Sequence, residues 1–98
     1  MKGKQEYKVQ SLENHAQITR ILIILDSEKK LNFQSFVDDR GMSTTTLYRT
    51  LKALKELELV DTKLDNSRYP PQNMISLTDK GKKVAKHLKE IEEILSEE

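Results

Sequence analysis

Between Ser43 and Lys52 the chain sets four consecutive hydroxyl side chains, Ser43, Thr44, Thr45 and Thr46, ahead of Tyr48, Arg49 and Lys52, with no acidic residue among them. Hydroxyls donate and accept hydrogen bonds, and guanidinium and ammonium groups add charge-assisted donors. The chemistry this grouping suits is recognition of base edges and phosphates. It does not suit bond breaking, because no nucleophile is paired with a base. A solvated polar surface with no nucleic-acid role fits the same residues when they are taken alone.

An amphipathic helix from Ser43 to about Glu58 positions this group. Leu47, Leu51, Leu54 and Leu57 recur at intervals of three and four, which places them along one stripe. At 100° per residue the opposite face carries Thr45, Arg49, Lys52 and Glu56, with Tyr48 on its flank. Ser43 is the expected cap, and Gly41 the turn residue before it. A helix that buries leucines inward and presents Thr, Tyr, Arg and Lys outward suits insertion into a DNA major groove.

Composition excludes several function classes. The 98 residues make one small domain, and with no cysteine there is no disulfide, thiolate or cysteine-zinc chemistry. His15 and His87 stand on separate elements, so no metal site is expected. There is no glycine-rich phosphate loop or ligand cluster either, and we expect no cofactor and no enzymatic activity. The longest apolar run, Ile21 to Leu25, is far short of the roughly 20 residues a bilayer span needs, and no signal-peptide pattern opens the chain. A cytoplasmic protein without membrane contact is the expectation. The net charge of +1 hides a gradient: residues 1–42 sum to +1, residues 43–86 to +4 and residues 87–98 to −4, so positive charge follows the hydroxyl-rich helix.

Around that helix the sequence predicts an N-terminal arm over residues 1–10 and a core helix from Ser11 or Asn14 to about Ser27, with Asn14 and Gln17 spaced as a capping box. A charged turn, a short strand at Leu31–Phe33 and a brief helix over Gln34–Asp39 follow. Short helix, Gly-containing turn and longer amphipathic helix together have helix-turn-helix spacing. Past Leu57 the pattern alternates, predicting strands over Leu59–Leu64 and Met74–Leu77 joined by a loop at 65–73 whose contact side chains are Arg68 and Tyr69. Thr78 then caps a helix reaching about Ser96, in which Val84, Leu88, Ile91 and Leu95 form a seam and Ile94 widens it. Lysines fill the first half of this helix and glutamates the second, against the macrodipole preference. An antiparallel copy of the same helix would set basic half against acidic half. Alternatively, the lysines lie near DNA and the seam packs on the chain's own first helix.

The order helix, short helix, amphipathic helix, hairpin, helix over residues 14–96 resembles the winged helix-turn-helix domains of MarR-type and PadR-type transcription regulators. The most specific pieces are Ser43-Thr44-Thr45-Thr46-Leu47-Tyr48-Arg49, similar to the start of the recognition helix, and Leu77-Thr78-Asp79-Lys80-Gly81, similar to the Leu-Thr-x-x-Gly that closes the wing. Leu59-Val60 resembles the pair that enters the wing, but the family's preceding glycine is Glu58 here, so the helix is expected to finish another way. The resemblance implies a mainly α fold with a small β-hairpin, in which residues 11–78 bind DNA, while the seam and the reversed charges make residues 79–98 the expected dimerisation element. It implies that Thr44, Thr45, Thr46, Tyr48 and Arg49 face the major groove and that Arg68 reaches the minor groove or its phosphates. The partners expected are double-stranded DNA and a second copy of the chain. A winged helix used only for protein binding would share this fold. With no separate ligand domain, an effector would sit between helices or at a dimer interface.

Overall fold

A computed structural model of the chain describes residues 7–67 and 69–97. A 3₁₀ helix at Lys8–Glu13 leads into α1 (Ile18–Glu28), β1 (Lys30–Asn32), α2 (Phe33–Asp38), α3 (Thr44–Glu56), β2 (Val60–Asp65), β3 (Gln72–Leu77) and α4 (Asp79–Leu95). The fold is mainly α with a small antiparallel sheet, a winged helix-turn-helix, as the sequence predicts.

Apolar periodicity explains the centre. Ile18, Ile21, Leu22 and Leu25 of α1 are fully buried and meet Phe36 of α2, Leu47, Leu51 and Leu54 of α3, Ile75 of β3 and Ala85 of α4. Each such aliphatic side chain withdrawn from water contributes about 1.5–3 kcal/mol, so α1 is the pillar on which the other helices lean. Among the described residues Thr50 is the one buried polar side chain, and its hydroxyl bonds the Thr46 carbonyl at 2.8 Å. That local bond lets a polar residue sit on the leucine face without an unsatisfied group.

The N-terminal boundary differs from expectation. Asn14 and Gln17 do not form a capping box: Gln17 occupies the cap position of α1 without a side-chain cap bond, and its side-chain oxygen takes Arg20 Nη1 at 3.4 Å instead. The preceding segment folds as the 3₁₀ helix because Leu12 docks on the core, which requires a turn at residues 14–17 rather than one continuous helix.

The hairpin is also more than a hairpin. β2 and β3 pair antiparallel from Val60 opposite Leu77 to Asp65 opposite Gln72, and β1 adds to the far side of β3 with Leu31 opposite Ile75. β3 is thus central in a three-stranded sheet. Phe33, expected at the end of the strand, instead opens α2, because Asn32 leaves the strand as a cap and accepts from Ser35 N at 2.7 Å.

The end of α3 shows how the wing is aimed. Glu58 has φ +63°, the left-handed conformation usually given to glycine. Its N–H donates to the Lys55 carbonyl, and the Leu59 N–H donates to the Leu54 carbonyl, both at 2.9 Å. This pair of bonds is a Schellman cap. The helix therefore ends as glycine-bearing relatives would, contrary to the expectation of another ending. The strain at Glu58 is offset because Leu54 and Leu59, on either side of it, are both buried. Thr78 ties the other side: its hydroxyl donates to the Glu58 carbonyl at 2.7 Å and accepts from Gly81 N at 2.9 Å, while its own N–H donates to the Leu59 carbonyl at 3.0 Å. A Cβ on Gly81 would overlap the Leu59 carbonyl oxygen, so only glycine fits.

Two substitutions at this junction should move stability in opposite directions. Gly81→Ala forces the Leu59 strand entry away from α4 and is expected to cost about 3 kcal/mol. Glu58→Gly relieves the left-handed strain and is expected to gain about 0.5–1 kcal/mol after the larger unfolded-state entropy of glycine is counted. Urea unfolding midpoints measure both, and a Gly81→Ala midpoint equal to that of the unchanged chain would contradict the close approach.

Candidate nucleic-acid interface

The turn between α2 and α3 fixes where the hydroxyl-rich segment points. Gly41 takes φ +72°, and the buried Met42 donates its N–H to the Phe36 carbonyl at 3.1 Å, folding the chain back on α2. Arg20 of α1 donates from Nη2 to the Arg40 carbonyl at 2.8 Å, and Arg40 pairs with Glu28 at 3.3 Å. The turn is thus fastened to the pillar helix. Ser43 then caps α3, its hydroxyl accepting from Thr46 N at 3.1 Å, as the sequence predicts.

On this frame Thr44, Thr45, Thr46, Tyr48, Arg49 and Lys52 are all exposed along the outward side of α3, opposite buried Leu47, Leu51 and Leu54. Among the described residues, no ion pair engages Arg49, Lys52 or Lys55. Their charge is left for a partner from outside. Tyr69, at the tip of the loop between β2 and β3, is 98% exposed, and the loop is braced at its start by Ser67 N donating to Asp65 Oδ1 at 2.9 Å. Arg68, the other side chain expected at this tip, lies outside the described residues.

Sequence reasoning missed the residues that join helix and wing. Phe33, at the first position of α2, packs its ring against Tyr48 with centroids 4.7 Å apart and planes tilted by 41°. This contact holds the tyrosine ring on the α2 side of α3. Between α3 and the sheet lies an open cleft of about 470 Å3, with Leu51 and Ile75 at its base, Arg49, Lys52 and Lys55 along one side, and Thr62 and Asn73 on the other. No strong pattern marks Lys55 or Asn73 in the sequence. Only the pairing register, which sets Asn73 opposite Leu64, brings β3 alongside α3.

The expected dimerisation residues divide along α4. Val84 and Leu88 are half-buried against the core, and Lys89 reaches Asp26 of α1 at 3.5 Å. Ile91, Ile94 and Leu95 are 50%, 62% and 76% exposed. Ala85, which the seam did not include, is buried in this helix together with Gly81.

A family model for HxlR-like helix-turn-helix proteins matches residues 18–98. The chain belongs to this family. The HxlR-like match spans α1 to the end of α4, and it makes the chain a DNA-binding helix-turn-helix transcription regulator, as the resemblance to winged-helix regulators implies. The fold is shared with a transcriptional regulator homologue from Pyrococcus horikoshii OT3, at 22% identity, with 92% of each chain covered and a TM-score of 0.73. It is shared too with a MarR-family transcriptional regulator from Porphyromonas gingivalis W83, at 23% identity, 99% and 97% coverage and a TM-score of 0.75. A mutant form of ZitR from Lactococcus lactis is 26% identical with a TM-score of 0.71; the match covers 98% of this HxlR-like chain and 63% of ZitR. No curated protein matches the chain. Among the described residues, no helix is long and apolar enough to cross a membrane.

Proposed function

We propose that this HxlR-like protein binds double-stranded DNA sequence-specifically as a cytoplasmic transcription regulator, with α3 in the major groove and the loop at 65–73 on the minor groove or the backbone. The observation that carries this reading is the outward side of α3: hydroxyls at Thr44, Thr45 and Thr46, with Tyr48, Arg49 and Lys52, all exposed. Both ends of that helix are fixed, by the Ser43 cap and by the Schellman cap at Glu58. A rigid helix loses little entropy on binding, so its donors can be spent on base edges. Arg49 is the leading base reader, since arginine bonds guanine O6 and N7 as a pair. Lys52, one turn further along, serves phosphate. Tyr69 and Arg68 are assigned to the wing contact, in the sense that the sequence gives them.

Residues 79–98 serve as the dimerisation element in this proposal. The support is the exposed trio Ile91, Ile94 and Leu95, which continues the line of Val84 and Leu88 toward the end of the helix. Glutamates flank the trio and lysines flank the earlier half, so an antiparallel copy would complement both. A two-fold pair would set two α3 helices on half-sites about 34–36 Å apart.

Binding to the DNA upstream of the protein's own gene, followed over a salt series, tests the central claim. Affinity should fall steeply with salt, because each neutralised phosphate releases counterions, and an interaction module without DNA contact would show no such slope. Arg49→Ala should cost about 1–3 kcal/mol on the specific site and much less on unrelated DNA. Equal losses on both would remove Arg49 from base reading. For the assembly, sedimentation equilibrium should find a dimer of the intact chain at micromolar concentration and a monomer after truncation at Lys89. A dimer that survives the truncation would place the interface elsewhere.

A further inference from the structure

Phe33 and Asn73 are among the residues lining the cleft between α3 and the sheet. Those two residues also line a second cleft of about 310 Å3 between the start of α2 and the base of the wing, where Asn32, Gln34 and Gln72 supply side-chain amides. Among the described residues no acidic side chain lines either cleft; the first carries the three cations and the aromatic pair, and the second the amides.

We propose that the first of these clefts, between α3 and the sheet, is a binding site for a purine mononucleotide. The three cations Arg49, Lys52 and Lys55 recur every three residues on α3 and have no ion-pair partner among the described residues, which suits a phosphate. The Phe33–Tyr48 ring pair offers a π-face against which a base can stack. Asn73 supplies a hydrogen-bonding contact to the base edge. The Asn32 amide is engaged with Ser35 N and Gln72 Oε1, and the Gln34 amide nitrogen donates to Asp38. Asn73 is exposed and its carboxamide has no hydrogen bond among the described residues, so its donor and acceptor are both on offer. A carboxamide in that state can pair with the N6 and N7 atoms of adenine, and the larger two-ring face of a purine stacks on the Phe33–Tyr48 pair more strongly than a pyrimidine does.

Arg49 and Lys52 would serve both this ligand and DNA, so the nucleotide and the operator compete. That regulatory consequence rests on the DNA-reading proposal; nucleotide binding itself does not.

The test is a ¹⁵N chemical-shift titration of the intact chain with AMP, adenosine, ribose 5-phosphate and CMP, followed by AMP competition against bound DNA. AMP should give saturating shifts centred on residues 33, 48–55 and 73. Adenosine, ribose 5-phosphate and CMP should each bind about tenfold more weakly or worse. Asn73→Ala should weaken AMP about tenfold without changing the thermal midpoint, because the residue is exposed, and Lys55→Gln should weaken AMP and flatten the salt dependence of AMP binding. Shifts that do not saturate, shifts centred elsewhere, ribose 5-phosphate binding as well as AMP, or an unaffected Asn73→Ala would each overturn the site. DNA binding without AMP binding would sink this inference and leave the DNA reading standing. AMP binding without DNA binding would do the reverse.

Discussion

The contact on which the architecture turns is the approach of the Leu59 carbonyl to Gly81. At this point the end of α3, the entry to the wing, the return from the wing and the start of α4 all meet within a few bonds. Thr78 N and Thr78 Oγ1 bond the Leu59 and Glu58 carbonyls, and the Gly81 N–H closes the circuit on the same hydroxyl. Because the space beside the Leu59 oxygen admits no Cβ, helix and strand are locked at one separation. The direction of α3, the plane of the sheet and the departure of α4 are then no longer independent quantities. A chain this small can bury only a modest core, so a hydrogen-bonded joint of this kind does much of the orienting that a larger interface would do elsewhere.

Much of this was legible in the sequence, and the physical reasons are specific. Leu47, Leu51 and Leu54 are buried because 3.6-residue periodicity leaves a helix few alternatives, and Ser43 and Thr78 cap because their hydroxyls have no better use at a helix start. What escaped was decided by tertiary contact. Asn14 and Gln17 have capping-box spacing, yet Leu12 needs the core, and the chain turns to deliver it. Glu58 breaks a local preference, yet the Leu54 and Leu59 side chains on either side hold it in the left-handed region. Ala85 is too small to register in an apolar pattern, and close packing against the core is what makes it valuable. For the candidate interface, the exposed side of α3 was readable from its residues, whereas Phe33, Lys55 and Asn73 enter only through the pairing of β3 with both its neighbours.

The helix α4 has two environments along one length. Its first half faces Leu59, Leu77 and α1, and its lysines lie exposed around a buried line at Gly81 and Ala85. Its second half carries isoleucine and leucine in solvent among glutamates. The macrodipole disfavours this order of charges by a few tenths of a kcal/mol per residue, so it is carried at a small cost for as long as the helix stands alone. Asp79 at the first turn and the Lys89–Asp26 pair moderate that cost within the chain.

The outer strand of the wing carries a further consequence. Among the described residues β2 bonds β3 and forms the edge of the sheet, so the outer side of residues 60–64 is open to a further strand. Such an edge invites strand addition from a neighbouring molecule, the first step of sheet-to-sheet aggregation. Leu64, 57% exposed near the tip, would favour that event. Asp61, Lys63 and Asp65 alternate along the same strand, so an approaching identical edge in most registers meets charge of its own sign or must strip water from an unmatched one. The alternation of charge along the shaft of the wing is thus also a guard against two wings zipping together.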